Sequence, residues 1–153
     1  MGYINRGIYF EDIEIDKEIY TARRTILDCD VANFAGLSGD YNPLHIDDEY
    51  AKTNIFGKRI AHGTLGIAIM TGQVNQLGIF EGTTIALIEM QNKFKKPIMI
   101  GDTVHSVIIP IKKISSKNPS RGIVECDVFL VNQDDKILIE AKWTLMIACK
   151  NVA

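Results

Sequence analysis

Residues 62–78 read HGTLGIAIMTGQVNQLG. Over Gly63–Gly72 the stretch is apolar or small on nearly every side. A helix at a protein surface carries a polar stripe, so this one is expected to be buried on most sides. The spacing predicts a helix from about His62 to Leu77, stopped by Gly78. Gly63, Gly66 and Gly72 each cost about 1 kcal/mol of helix propensity relative to Ala. That cost is usually offset where another backbone or a ligand comes close.

Downstream the pattern changes. TIALIEMQNKF (84–94), TVHSVIIPIKKI (103–114), GIVECDVFLVNQ (122–133) and ILIEAKWTLMIAC (137–149) are rich in β-branched and aromatic residues and partly alternate, as strands do. Turn chemistry separates them: Lys96-Pro97 with Gly101-Asp102, then SSKNPSRG, then QDDK. Consecutive strands of this kind predict an antiparallel sheet with hairpin-like succession. A long apolar helix ahead of four long strands predicts an α+β fold in which the sheet curls around the helix.

Upstream the signals are shorter. Ile8, Phe10 and Ile13 alternate weakly, and EIYTARRTIL (18–27) reads as a strand. Asp28 or Asp30 can cap a helix over CDVANFAGLSG, where Val31, Phe34, Ala35 and Leu37 or Ser38 fall at helical spacing. IDDEYAKTN starts another short helix with Asp47, Asp48 and Glu49 in its first turn, where the helix dipole favours negative charge.

The chain has 153 residues, is 46% hydrophobic and 24% charged, and carries a net charge of −2. This is one folded domain's worth of sequence, 1–153, with no linker or repeat. The charge offers no electrostatic basis for nucleic acid or anionic membrane as a partner. No apolar run approaches the ~20 residues that span a bilayer. The opening MGYINRGIYFEDIEID brings acids where a signal peptide needs an apolar run. Cys29, Cys126 and Cys149 are scattered, an odd set that fits reduced thiols in a cytoplasm, each expected to be a small buried apolar residue.

The chemistry-bearing stretch is SGDYNPLH (38–45), followed at 61–63 by AHG. Asp40, Asn42 and His45 fall within six residues around Pro43, which holds Asn42 extended in a loop. An Asx turn is the plain reading of such a cluster. A carboxylate and an imidazole sharing one water is the chemical one, and a backbone N–H at a helix start is a ready oxyanion donor. Metal ligation by Asp40, His45 and Asp47 or Asp48 is conceivable from ligand types, but no second ligand cluster supports it. His62 is expected to cap or brace the helix start, and His105 to be ordinary surface. Lys58, Arg59, Lys93, Lys95 and Lys96 are candidates to meet anionic phosphates, with a solvated charged surface as the default for each.

FAGLSGDYNPLH and FGKRIAHGTLG together resemble the signature of the MaoC-like dehydratases, which include the (R)-specific enoyl-CoA hydratases. YFEDIEIDKEI, TARRTILDCDVANFAGLSGD and FKKPIMIGDTV extend the likeness over nearly the whole chain. The resemblance implies a hot-dog fold and a hydratase interconverting trans-2-enoyl-CoA and (R)-3-hydroxyacyl-CoA. It implies that Asp40 and His45 hold and activate the water, and that the Gly63 N–H binds the thioester carbonyl oxygen. Asn42 would order the loop or the water, and Thr71 stands where the hydratases often carry a small hydroxyl residue. It further implies an acyl-CoA substrate, no metal or redox cofactor (coenzyme A being part of the substrate), and a homodimer or higher homo-oligomer with the site near the interface. The alternatives are an acyl-CoA thioesterase on the same fold and a non-catalytic acyl-CoA-binding subunit.

Overall fold

The computed structural model describes residues 5–150; residues 1–4, where the leader reading began, and 151–153 lie outside the described residues. A 3-10 turn (Phe10–Asp12) leads into β1 (Ile19–Tyr20) and β2 (Arg24–Thr25), then α1 (Asp28–Ser38), α2 (Pro43–Ile46) and α3 (Asp48–Thr53). The apolar helix α4 (Gly63–Gln76) follows, and then β3 (Thr84–Phe94), β4 (Thr103–Ser115), β5 (Arg121–Val131) and β6 (Ile137–Ala148).

The pairing is antiparallel throughout, in the order β1-β4-β5-β6-β3, with β2 also on β4. β4, β5 and β6 form the expected hairpins. β3 does not: it pairs with β6 rather than with its successor, so the chain crosses the sheet between β3 and β4. This leaves β3 as an edge.

Burial alternates without a break along β5, where Gly122, Val124, Cys126, Val128 and Leu130 turn inward. β6 adds Leu138, Ile139, Ala141, Trp143, Leu145 and Ile147 to the same core. Against this face α4 buries Leu65, Gly66, Ile69, Met70, Gln73 and Val74, which is the sheet-around-helix arrangement of a hot-dog fold. A Cβ built on Gly66 would lie 2.3 Å from Ile98 Cδ1 and 2.9 Å from Ile139 Cδ1. That close approach accounts for one glycine of the helix. Gly72 is different, because a Cβ there meets nothing within 4 Å.

The segment 18–27 is two short strands rather than one. Thr21 interrupts it by placing its hydroxyl where a ladder bond would be: Ser106 N–H donates to Thr21 Oγ1 at 2.8 Å. Gln73 fills the gap from the helix side, donating through Nε2 to Ala22 O (3.2 Å) and Val104 O (3.0 Å) while accepting from Ser106 Oγ (2.7 Å). Hydropathy alone cannot show that the one amide buried on α4 is spent on this break.

Three further expectations change. Leu37 is exposed on α1, which buries Val31 and Ala35 instead. His105 is buried rather than surface, with its ring stacked on Tyr20 at 6.2 Å; burial first, and Arg23 second, hold its imidazole below the usual histidine range. Of the cysteines only Cys126 is buried; Cys149 is intermediate and Cys29, in the first turn of α1, is exposed. Among the described residues no helix is long and apolar enough to cross a membrane.

Burial pushes the Cys126 thiol up to about 12, so it stays protonated and inert at neutral pH. Native protein treated with a thiol reagent at pH 8 should show Cys29 reacting first and Cys126 only after denaturation. Peptide mapping of the labelled protein reads this directly, and native labelling of Cys126 would contradict the packing described.

Candidate active site

SGDYNPLH folds as a tight corner followed by one helical turn, α2, rather than as a loop throughout. α1 stops at Gly39, whose φ of +77° is left-handed. Asp40 Oδ1 then accepts the Asn42 N–H at 3.2 Å, and Asn42 Oδ1 accepts the Leu44 N–H at 3.1 Å. Asn42, at φ −56° and ψ 130°, is the N-cap of α2, with Pro43 at its first position, where a missing N–H costs nothing. Asn42 therefore orders the corner. It does not line the pocket.

His45 ends up buried. Its Nδ1 lies 2.8 Å from Ile60 O. A carbonyl only accepts, so Nδ1 carries the proton and Nε2 is left as the group that can exchange one. Arg59, paired with Asp28 (2.8 Å) and Asp48 (2.6 Å), also reaches the His45 carbonyl at 3.4 Å. Arg59 is thus committed to bracing α2 and is not free for a phosphate. Asp47 caps α3 by accepting the Tyr50 N–H at 3.0 Å, so neither Asp47 nor Asp48 joins Asp40.

Asp40, Leu44, His45, His62, Gly63 and Phe94 share a cavity of about 530 Å³. A carboxylate oxygen of Asp40 and one ring nitrogen each of His45 and His62 lie within 4.8 Å of one another. One water hydrogen-bonded at ~2.8 Å to two such groups bridges a gap of this size. The composition also suits a metal ion, and ligating histidines commonly donate their second N–H to a carbonyl, as His45 Nδ1 and His62 Nε2 do here, the latter to Asp40 O at 2.9 Å. Each ring has therefore already used one nitrogen.

Gly63 is the first residue of α4. Its N–H has no carbonyl four residues back within the helix and sits at the positive end of the dipole. A Cβ on Gly63 would lie 2.6 Å from Phe94 Cε1. The absent side chain leaves room for the Phe94 ring, which forms the neighbouring wall. Phe94 was not singled out from sequence; only its place at the end of β3, just before the lysine pair, could have pointed to it. Thr71 does not line the cavity. Two helical turns on from Gly63, its hydroxyl donates back to Ile67 O at 2.9 Å. Lys95 and Lys96 line the cavity, whereas Lys58 and Lys93 do not; Lys93 and Lys95 lie 3.7 and 3.5 Å from Glu140.

Residues 11–129 match the MaoC like domain model. An (R)-specific enoyl-CoA hydratase of Rhodospirillum rubrum is 32% identical over 142 residues, 93% of each chain. Among solved structures, a protein from Archaeoglobus described as a monoamine oxidase regulatory protein overlays with a TM-score of 0.89 at 33% identity, covering 95% of this chain and 97% of that one. An unliganded R-hydratase from Pseudomonas aeruginosa overlays at 0.77 and 26% identity, covering 95% and 88%. The chain belongs to the MaoC-like family.

The two packed glycines of α4 should respond differently to an added methyl. Phe94 is 57% exposed and can swing outward, so Gly63→Ala should melt within a few degrees of the parent. Gly66→Ala drives into Ile98 and Ile139, which are both fully packed, and should cost about 1–3 kcal/mol. Urea denaturation of both variants decides this; equal stabilities would show the Gly66 contact to be slack.

Proposed function

We propose that the protein adds water to trans-2-enoyl-CoA, and removes it from (R)-3-hydroxyacyl-CoA, using Asp40, His45 and the Gly63 N–H. One observation carries the reading. A carboxylate and an imidazole stand one water apart beside the opening amide of a buried helix, all in one pocket. The similarity to the R. rubrum hydratase over nearly the full length of both chains supports it.

In the hydration direction, water bridges Asp40 and His45 Nε2. Its oxygen bonds to the β-carbon while the pair takes one of its protons. A proton passes from the pair to the α-carbon, and the charge that builds on the thioester oxygen meets the Gly63 N–H. No electron changes hands, so the reaction needs no redox cofactor. The metal-free reading rests on the mechanism, in which Asp40, His45 and the Gly63 N–H supply every group the proton transfers and the oxyanion require. Hydration activity should therefore survive prolonged chelation with EDTA, assayed against untreated protein.

The decisive experiment follows the conjugated enoyl-thioester absorbance over a panel of chain lengths, with product chirality and free thiol measured alongside. Release of thiol without a 3-hydroxyacyl product would establish the thioesterase instead. Asp40→Asn and His45→Gln should each lower kcat by about 10²-fold or more. Together they should cost far less than the product of the single losses, because both act on one water. Gly63→Val should lose activity while keeping its fold. Two folded single variants with near-normal turnover would return the motif to an ordinary turn and favour a non-catalytic binding subunit.

The assembly belongs to the same reading. β3 is an eleven-residue edge with Ile85, Leu87, Ile88 and Phe94 exposed along it. Long apolar edges are usually covered, and a second copy of the chain is the simplest cover. A homodimer so formed places its interface beside the pocket through Phe94. Light scattering at micromolar concentration should give at least twice the chain mass; an active monomer would refute this. Three free thiols support a cytoplasmic setting.

A further inference from the structure

His62 touches both halves of the site. Its ring lies tilted against that of His45, with centroids 3.8 Å apart and 30° between planes, while its Nε2 donates to the Asp40 carbonyl at 2.9 Å. Phe34 of α1 packs against the ring at 5.1 Å, and the residue is only 1% exposed. Its own backbone is the N-cap of α4, one residue before Gly63. It provides no side-chain cap to the helix, and its Nδ1 is buried with no hydrogen-bond partner. A side chain that served packing alone would avoid that orphan, since an unpaired buried polar atom is destabilising. An apolar ring would fill the same space at no such cost.

We infer that His62 is the positioning residue of the reaction, an imidazole that sets the Asp40–His45 separation by holding one through a hydrogen bond and the other by its face. The two carbonyls dictate opposite tautomers. His45, bonded to Ile60 O, carries its proton on Nδ1, and His62, bonded to Asp40 O, carries it on Nε2. The Asp40 corner and α2 are also tied by the segment between them and by Arg59, which bridges Asp28 of α1 and the His45 carbonyl, but those ties do not touch the His45 ring. His62 therefore fixes a distance that the water must bridge, and acts on the reaction through both partners rather than on the substrate.

The inference rests on the hydratase reading for its kinetic arm alone. Ring-nitrogen chemical shifts in the unmodified protein read the tautomers directly. The expected result is Nδ1–H on His45 and Nε2–H on His62, and one tautomer on both rings overturns the proposal whatever the variants do. His62→Phe keeps an aromatic face for His45 without a donor for Asp40; His62→Gln keeps an Nε2–H donor without a ring. Each folded variant should lose about tenfold or more in kcat with KM within about twofold, and His62→Phe combined with Asp40→Asn should cost much less than the product of the two losses. The His45 ring signals should broaden from microsecond–millisecond exchange. Folded variants with turnover within twofold of the parent and sharp His45 signals would show that His62 only fills space. If the unmodified protein turns over no enoyl thioester, the hydratase reading fails, and the tautomer and exchange measurements still decide the role of His62.

Discussion

Gly66 presses against the side chains of Ile98 and Ile139, and the placement of the site follows from that contact. A methyl at 66 would sit well inside van der Waals distance of both. The glycine's cost of about 1 kcal/mol in helix propensity is smaller than the ~1–3 kcal/mol of strain an added methyl brings to a packed core. Close approach wins. Ile98 also accepts the Ala61 N–H through its carbonyl at 2.9 Å and lines the pocket. The residue that limits how near the helix can come thus also fixes the chain just before its first turn.

That first turn gathers groups from three directions. α1 and its left-handed stop at Gly39 bring Asp40 to the corner, Asn42 and Pro43 start the turn that turns His45 inward, and β3 ends in Phe94 at the opening amide of α4. Little charge is buried in the process. Asp40 remains exposed, the two rings each bond a carbonyl, and Arg59 answers Asp28 and Asp48 outside the cavity. A site built this way avoids the several kcal/mol that an unpaired buried ion would cost.

The long elements were legible in the sequence because their signals are local. An all-apolar helix and alternating β-branched runs determine their own state, and their observed bounds fall within a residue or two of the pattern. The crossing from β3 to β4 was not legible, because strand order depends on which faces meet, not on any run of residues. Asp40, Asn42 and His45 were readable as a cluster since six residues hold them together. The part of His62 was not, because its partners lie 17 and 22 residues away in the chain. Thr71 was placed by position alone; its hydroxyl donates to Ile67 O within the helix, and the residue does not line the cavity. Cys29 and Leu37 were misplaced for a related reason. Composition says that such residues are usually inside, while α1 has more apolar side chains than its core-facing stripe can cover.

Gln73 gives the helix an address. Its amide grips β4 and the break between β1 and β2 at three points, ten residues from Gly63, or about 15 Å along the axis at 1.5 Å per residue. Apolar packing by itself resists sliding weakly, because one greasy contact can be traded for the next. A side-chain amide with three matched partners cannot be traded, and a shift of even one residue would strand all of them. The far end of the helix is therefore indexed against the sheet like a vernier against its scale, and the opening amide inherits that setting. In this curled sheet, Gln73, a polar residue deep in the sheet-facing stripe, is a ruler for a site it never touches.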